Sequence, residues 1–161
     1  MRKILLFAVL FLFVCLGGLA ALDSVFTGLG VEVNNENTKG CALGGALIVG
    51  LDINKYFGAG LKVAFSHNFD AIGTLETAAL FRYYLPIKIN GLFLQTDLGA
   101  AFLFEYNVTY PVFLGELTAG WRFMITKIFY LEPVVRAGYP FMWGAGLTAG
   151  LRFSSKAIQS N

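Results

Sequence analysis

The sequence predicts an all-β protein: an eight-stranded antiparallel up-and-down transmembrane β-barrel, preceded by a signal-peptide helix. Three observations carry this. First, 57% of the residues are hydrophobic and only 14% are charged, which is too apolar for an ordinary water-soluble domain. Yet only residues 4–22 form an uncharged apolar run of helix-spanning length. A membrane helix needs about 20 such residues, a tilted strand only about 9–11, so the apolar content falls to strands. Second, eight segments alternate apolar and polar with the period of a strand. Third, aromatic residues gather at the ends of the apolar faces.

The N-terminus reads as a secretory signal over residues 1–21. Arg2 and Lys3 precede an apolar core, and small residues around Ala20 and Ala21 suit cleavage. An uncleaved anchor is the other reading, because Leu22 extends the run. Val14 ahead of Cys15 does not suit a lipoprotein signal, which has a small residue there. Without Arg2 and Lys3 the 12 basic residues become 10, matching the 10 acidic ones. A neutral mature chain gives no argument for nucleic acid as a partner. Loss of Cys15 leaves Cys41 alone, with no intramolecular disulfide to form.

Residues 22–161 then read as one barrel domain, with strands near 25–34, 41–53, 56–68, 74–85, 91–106, 112–124, 128–139 and 143–153. In the first strand Val25, Leu29, Val31 and Val33 oppose Phe26, Gly28, Gly30 and Glu32. Residues 34–40 form a polar loop with turn chemistry. The second sets Leu43, Leu47 and Val49 against Gly44, Ala46 and Asp52, and turns at Asn54 and Lys55. The third opposes Phe57, Leu61 and Phe65 to Gly58, Gly60 and Lys62; the fourth opposes Phe81 and Tyr83 to Glu76 and Arg82. Pro86 marks the next boundary. In the fifth, Leu94, Leu98, Phe102 and Phe104 lie opposite Gln95, Asp97 and Glu105, with residues 107–111 as a loop. The sixth opposes Leu117, Trp121 and Phe123 to Glu116 and Arg122; the seventh opposes Leu131 and Val135 to Glu132 and Arg136. The eighth sets Ala145, Leu147, Ala149, Leu151 and Phe153 against Gly144, Gly146, Thr148, Gly150 and Arg152. Three of the turns carry a lysine, Lys55, Lys88 and Lys127, and share one rim.

Alternation leaves two orientations open: a soluble ligand-carrying barrel with its apolar face inside, and a membrane barrel with that face outside. The polar face favours the second. It holds one lysine, Lys62, among arginines, and most of its other residues are Gly or Ala, unlike a face made for water. The aromatics favour it too. Phe57, Tyr83, Trp121, Phe123 and Phe153 lie near the lysine turns; Phe65, Phe104, Tyr106 and Trp143 lie near the other rim, as two interfacial girdles.

The inward charges form the candidate site: Glu32, Asp52, Lys62, Glu76, Arg82, Asp97, Glu105, Glu116, Arg122, Glu132, Arg136 and Arg152. Register read from the hairpins sets Lys62 opposite Glu76, Glu116 opposite Arg136, and Arg122 within a diagonal of Glu132. Opposed charges across strands attract, and buried charges need such partners. Two readings follow. One is a salt-bridge plug, since eight strands enclose just enough room for side chains. The other is a narrow conduit for ions or small solutes, left open by the many inward glycines. No enzyme is expected: the single histidine, His67, shares its loop region with Ser66 and Asp70, but alternation sends Ser66 and His67 to opposite faces. No metal or cofactor motif is present in the sequence; the glycines recur at period two rather than clustering before a helix.

The closing strand, with Thr148, Gly150, Leu151 and Phe153, resembles the C-terminal β-signal of bacterial outer-membrane barrels. The chain from 25 to 153 resembles the small eight-stranded class of the OmpA-barrel, OmpX and OmpW kind. That resemblance implies residence in the cell outer membrane, lipid as surroundings, and the outer-membrane assembly machinery as a partner during biogenesis. It implies anchoring, adhesion or passage of small solutes as roles. The chain departs from the class in its short outer loops and in its tail after Phe153.

Overall fold

Each strand pairs antiparallel with its neighbours, and the last closes on the first. The computed structural model describes residues 22–36, 40–68, 72–87, 90–105 and 108–154. The signal sequence at 1–21 and the girdle residue Tyr106 lie outside the described residues. The strands are β1 (Ser24–Glu36), β2 (Gly40–Asp52), β3 (Phe57–Asn68), β4 (Gly73–Tyr84), β5 (Leu92–Glu105), β6 (Val108–Trp121), β7 (Phe123–Met124), β8 (Phe129–Tyr139) and β9 (Trp143–Ser154). β6 and β7 are one stave interrupted at Arg122, so nine segments make eight staves. β6 and β7 both pair with β8, and β9 pairs with β1, which closes the barrel.

The register fixes the barrel's dimensions. Stepping from partner to partner, Trp143 leads through Ala137, Leu117, Thr96, Phe81, Ala59, Leu51 and Val25 back to β9 at Phe153. The return falls ten residues along (153 minus 143), a shear of ten. With strands about 4.8 Å apart and about 3.3 Å per residue, this shear tilts the strands about 41° and sets a backbone radius of about 8 Å.

The apolar face is outside. Leu47 is 45% exposed, Phe81 58% and Leu117 67%, whereas Arg82 and Glu116 are 2% and 3% exposed. A soluble ligand-carrying barrel would present its faces the other way round, and lipid is the solvent that suits such an exterior. Backbone pairing around the closed ring leaves no open edge through the barrel wall, as hydrocarbon demands.

Strand bounds agree with the sequence reading to within two residues, with one exception. The sixth strand begins at Val108, not at 112, and runs straight through Pro111. The sequence reading sets residues 107–111 as a loop, whereas here a proline, with no N–H to give a ladder, sits within the strand. The Arg122 N–H donates to Gly91 O, so even-numbered residues of this stave pair with β5. The nitrogen of Pro111 therefore faces the β8 side. Pairing with β8 stops at Gly115, so proline forfeits no ladder bond.

Two register expectations are also corrected. Lys62 faces Ala78 while Glu76 faces Ala64. Glu116 faces Gly138 while Arg136 faces Thr118. Each slip is two residues, set by loop lengths the sequence does not fix. A slip of two keeps every side chain on its own face, and long side chains still meet across the diagonal.

Candidate functional site: an ionic lumen with an open vestibule

Alternation delivers ten of the twelve expected lumen charges to the interior as buried side chains: Glu32, Asp52, Lys62, Glu76, Arg82, Asp97, Glu116, Arg122, Glu132 and Arg136. The other two, Arg152 and Glu105, are half-buried towards opposite rims. The ion pairs fall into two groups.

The group nearer the loop rim centres on Arg136 and Lys62. Arg136 reaches Glu116 at 2.7 Å, Glu76 at 2.8 Å and Glu32 at 3.1 Å, and its Nε donates to Asn34 at 3.0 Å. Lys62 Nζ lies 3.2 Å from Glu32, 3.6 Å from Glu76 and 3.7 Å from Glu116. Two cations thus serve three carboxylates held by three different strands. Phe141, from the short connection between β8 and β9, turns inward over this group; it is 1% exposed, with the Arg136 guanidinium 5.2 Å from its ring.

The group nearer the chain termini centres on Glu132 and Asp52. Glu132 accepts from Arg82 at 2.8 Å and from Arg122 Nε. Asp52 accepts from Ser24 at 2.7 Å, Tyr84 at 2.9 Å, Arg152 at 2.9 Å and Arg122 at 3.3 Å. Gln95 ties the groups together: its carbonyl accepts from Arg82 at 2.7 Å, and its amide donates to Asp97 at 2.8 Å. Formal charges complement along the axis. Three carboxylates oppose two cations in the first group, and three arginines oppose two carboxylates in the second.

An aromatic layer that sequence reasoning missed packs between these ions. Phe26, Ile48, Leu80 and Tyr130 form one buried cluster. Arg82 stacks on Phe93 at 3.9 Å; Arg122 stacks on Phe26 at 4.4 Å and Tyr130 at 4.5 Å. Such contacts are worth about 2 kcal/mol when desolvated. Each ring faces a glycine across the ladder: Phe26 faces Gly50, Phe93 faces Gly120, and Tyr130 faces Gly150. A Cβ at those glycines would meet the rings at 2.3, 2.5 and 2.3 Å. These three inward glycines are therefore seats for ring edges. The signal was in the parity, since Phe26, Phe93 and Tyr130 share the face of the charges, but the pairing needed the register.

What space remains is uneven. Between the two ionic groups a cavity of about 20 Å³ has room for roughly one water. At the termini rim a vestibule of about 710 Å³ opens outward. The remaining expected residues lie as follows. Phe57, Tyr83, Phe123 and Phe153 are exposed on the outer face near the termini rim, with Trp121 half-buried and bonded to Asn90 O at 2.9 Å. Phe65, Phe104 and Trp143 are exposed toward the loop rim. In β9, Thr148 is buried inward and Gly150 lies against Tyr130, while Leu151 and Phe153 face outward. Ser66 is buried and His67 exposed, with the His67 ring 3.1 Å from Ile72 O; Asp70 lies outside the described residues.

This architecture is that of the small eight-stranded outer-membrane β-barrels. The N-terminal barrel domain of Pseudomonas aeruginosa OprF matches with a TM-score of 0.56 at 16% identity, covering 81% of this chain and 98% of that one. Neisserial surface protein A matches with a TM-score of 0.55 at 13% identity, covering 80% and 94%. The outer-membrane protein OprG of Pseudomonas aeruginosa matches at 0.54 and 10% identity, covering 83% and 96%. At these identities the likeness is one of fold. No family model and no curated protein sequence matches the chain.

Proposed function

We propose that the protein is an integral outer-membrane β-barrel whose lumen is plugged by its own salt bridges, a structural, surface-exposed envelope protein. The supporting observation is the continuous cross-section of ions and rings, inside which the cavity between the two groups measures about 20 Å³. Ionic networks of this kind hold because every partner is present; removing one leaves a buried charge uncompensated. Residues 1–21 direct export and are then removed, and Thr148, Gly150, Leu151 and Phe153 present the β-signal to the assembly machinery. This reading assigns no catalytic role, and the opposite faces of β3 taken by Ser66 and His67 support it.

The test is planar-bilayer recording of the refolded full chain. The plugged barrel gives no steady conductance, while Arg136→Ala, which uncovers Glu76 and Glu116, gives measurable openings. Steady conductance in the unmodified protein, altered by Arg136→Ala, would establish the conduit reading instead. Heat-modifiable gel migration verifies that the barrel under test is closed.

A further inference from the structure

The vestibule at the termini rim is a large concavity beside the plug. Its volume, about 710 Å³, lies within the roughly 300–1,000 Å³ typical of small-molecule sites. Its walls mix apolar and aromatic residues, Tyr56, Leu85 and Trp121 among them, with charged ones that include Arg122, Arg152 and Asp52. The charges along the lining are Lys55, Arg122 and Arg152 against Asp23 and Asp52, three positive to two negative.

The carboxylate of Asp52 is already saturated by its four donors. Arg122 is not saturated. Its side chain is 4% exposed, its Nε and Nη1 are bonded, and Nη2 has no hydrogen-bond partner among the described residues. The rings of Phe26 and Tyr130 support the guanidinium plane but offer no lone pair. A buried donor left unmade costs roughly 1–3 kcal/mol, so Arg122, a residue of the vestibule wall, is short of one acceptor.

We propose that this vestibule binds a small organic anion with an apolar body, its charged end toward Arg122 and Arg152 and its body against Trp121, Tyr56 and Leu85. The ligand enters from the water on the side of the chain termini and leaves by the same mouth, because Arg82, Arg122 and Glu132 close the far end. The dead end rests on the plugged lumen proposed above, and conductance tests that separately. The shared chemistry, an anionic head on an apolar tail, belongs equally to a soluble carboxylate and to an acidic phospholipid reaching over the rim.

Trp121 supplies the readout. The chain has two tryptophans, and the other, Trp143, sits on the outer face at the opposite rim. Trp143→Phe in the full chain, folded into nanodiscs of neutral lipid, leaves Trp121 as the sole reporter. Titration with 4-phenylbutyrate should give a saturable change in Trp121 emission, and the neutral 4-phenylbutyramide should bind at least about tenfold more weakly, as loss of a charge-assisted hydrogen bond implies. Arg152→Gln should weaken the anion by a similar factor of about ten. If heat-modifiable migration shows that Arg152→Gln has not folded, Lys55→Gln, on an exposed turn, takes its place with a smaller loss. Repeating the titration with acidic phospholipid in the disc separates the sources: competition by lipid identifies the membrane, its absence a soluble anion. No saturable response, equal binding of the amide, or indifference to both charge variants would overturn the proposal.

Discussion

Gly120→Ala isolates the claim that Gly50, Gly120 and Gly150 are seats for rings. In a strand, glycine to alanine ordinarily stabilises by about 0.4–1 kcal/mol, because the unfolded chain loses freedom. At Gly120 the new methyl would lie 2.5 Å from Phe93 Cζ and 2.7 Å from Val134 Cγ1, far inside contact distance. Overpacking of this kind costs about 1–3 kcal/mol, so the net effect is a loss of about 1–2 kcal/mol. Gly45→Ala is the control. It faces outward, its nearest neighbour would be Gly30 O at 3.5 Å, and it should be neutral or stabilising. Both colliding groups at Gly120 are side chains, so relief is testable. In a Phe93→Leu background, Gly120→Ala should cost about 1 kcal/mol less than in the parent, a coupling expected of touching residues. The assay is urea unfolding of the barrel in lipid vesicles, followed by tryptophan fluorescence and extrapolated linearly. Gly120→Ala as stable as the parent, or an uncoupled cycle with Phe93→Leu, would refute the seat.

Three further outcomes follow from the same geometry. Leu117→Arg, on the outward face of β6, should destabilise the folded barrel in bilayers by about 2–4 kcal/mol, measured by the same unfolding assay. Arg136→Met should cost about 3–5 kcal/mol, since Glu32, Glu76 and Glu116 are left with Lys62 alone, and adding Glu116→Gln should recover part of that loss. If the chain enters from the periplasm, the lysine turns face that side and the loop rim faces outward; Cys41, exposed at the loop rim, should then react with a membrane-impermeant maleimide on intact cells, and Thr126→Cys only after the envelope is opened.

Much of this barrel was legible because one rule, a period of two, sorts inside from outside without knowledge of pairing. It assigned Glu32, Arg82, Glu132 and Arg136 to the lumen and Leu29 and Leu117 to the exterior. It could not set register, because a slip of two residues leaves every face unchanged; hence Lys62 and Glu116 were matched to the wrong direct partners. The ring-in-glycine packing of Phe93 on Gly120 was hidden for the same reason. Phe141 was hidden differently, since a loop has no period from which its direction can be read. Pro111, placed in a loop by the sequence, lies within β6 because proline's nature as a breaker is conditional. It breaks a ladder only when its nitrogen faces one.

That last residue has a consequence for the molecule's behaviour in a crowded envelope. Beyond Gly115, the odd-numbered residues of β6 turn their backbone groups toward a side where the wall has stopped. A bare margin of this sort invites another polypeptide to lie down along it, and repetition of that event builds fibres. Pro111 stands midway between Thr109 and Phe113 on this margin, with no hydrogen to offer a newcomer. The tallest part of the barrel is thereby kept from acting as a template, and each copy can project its hairpin without recruiting the next.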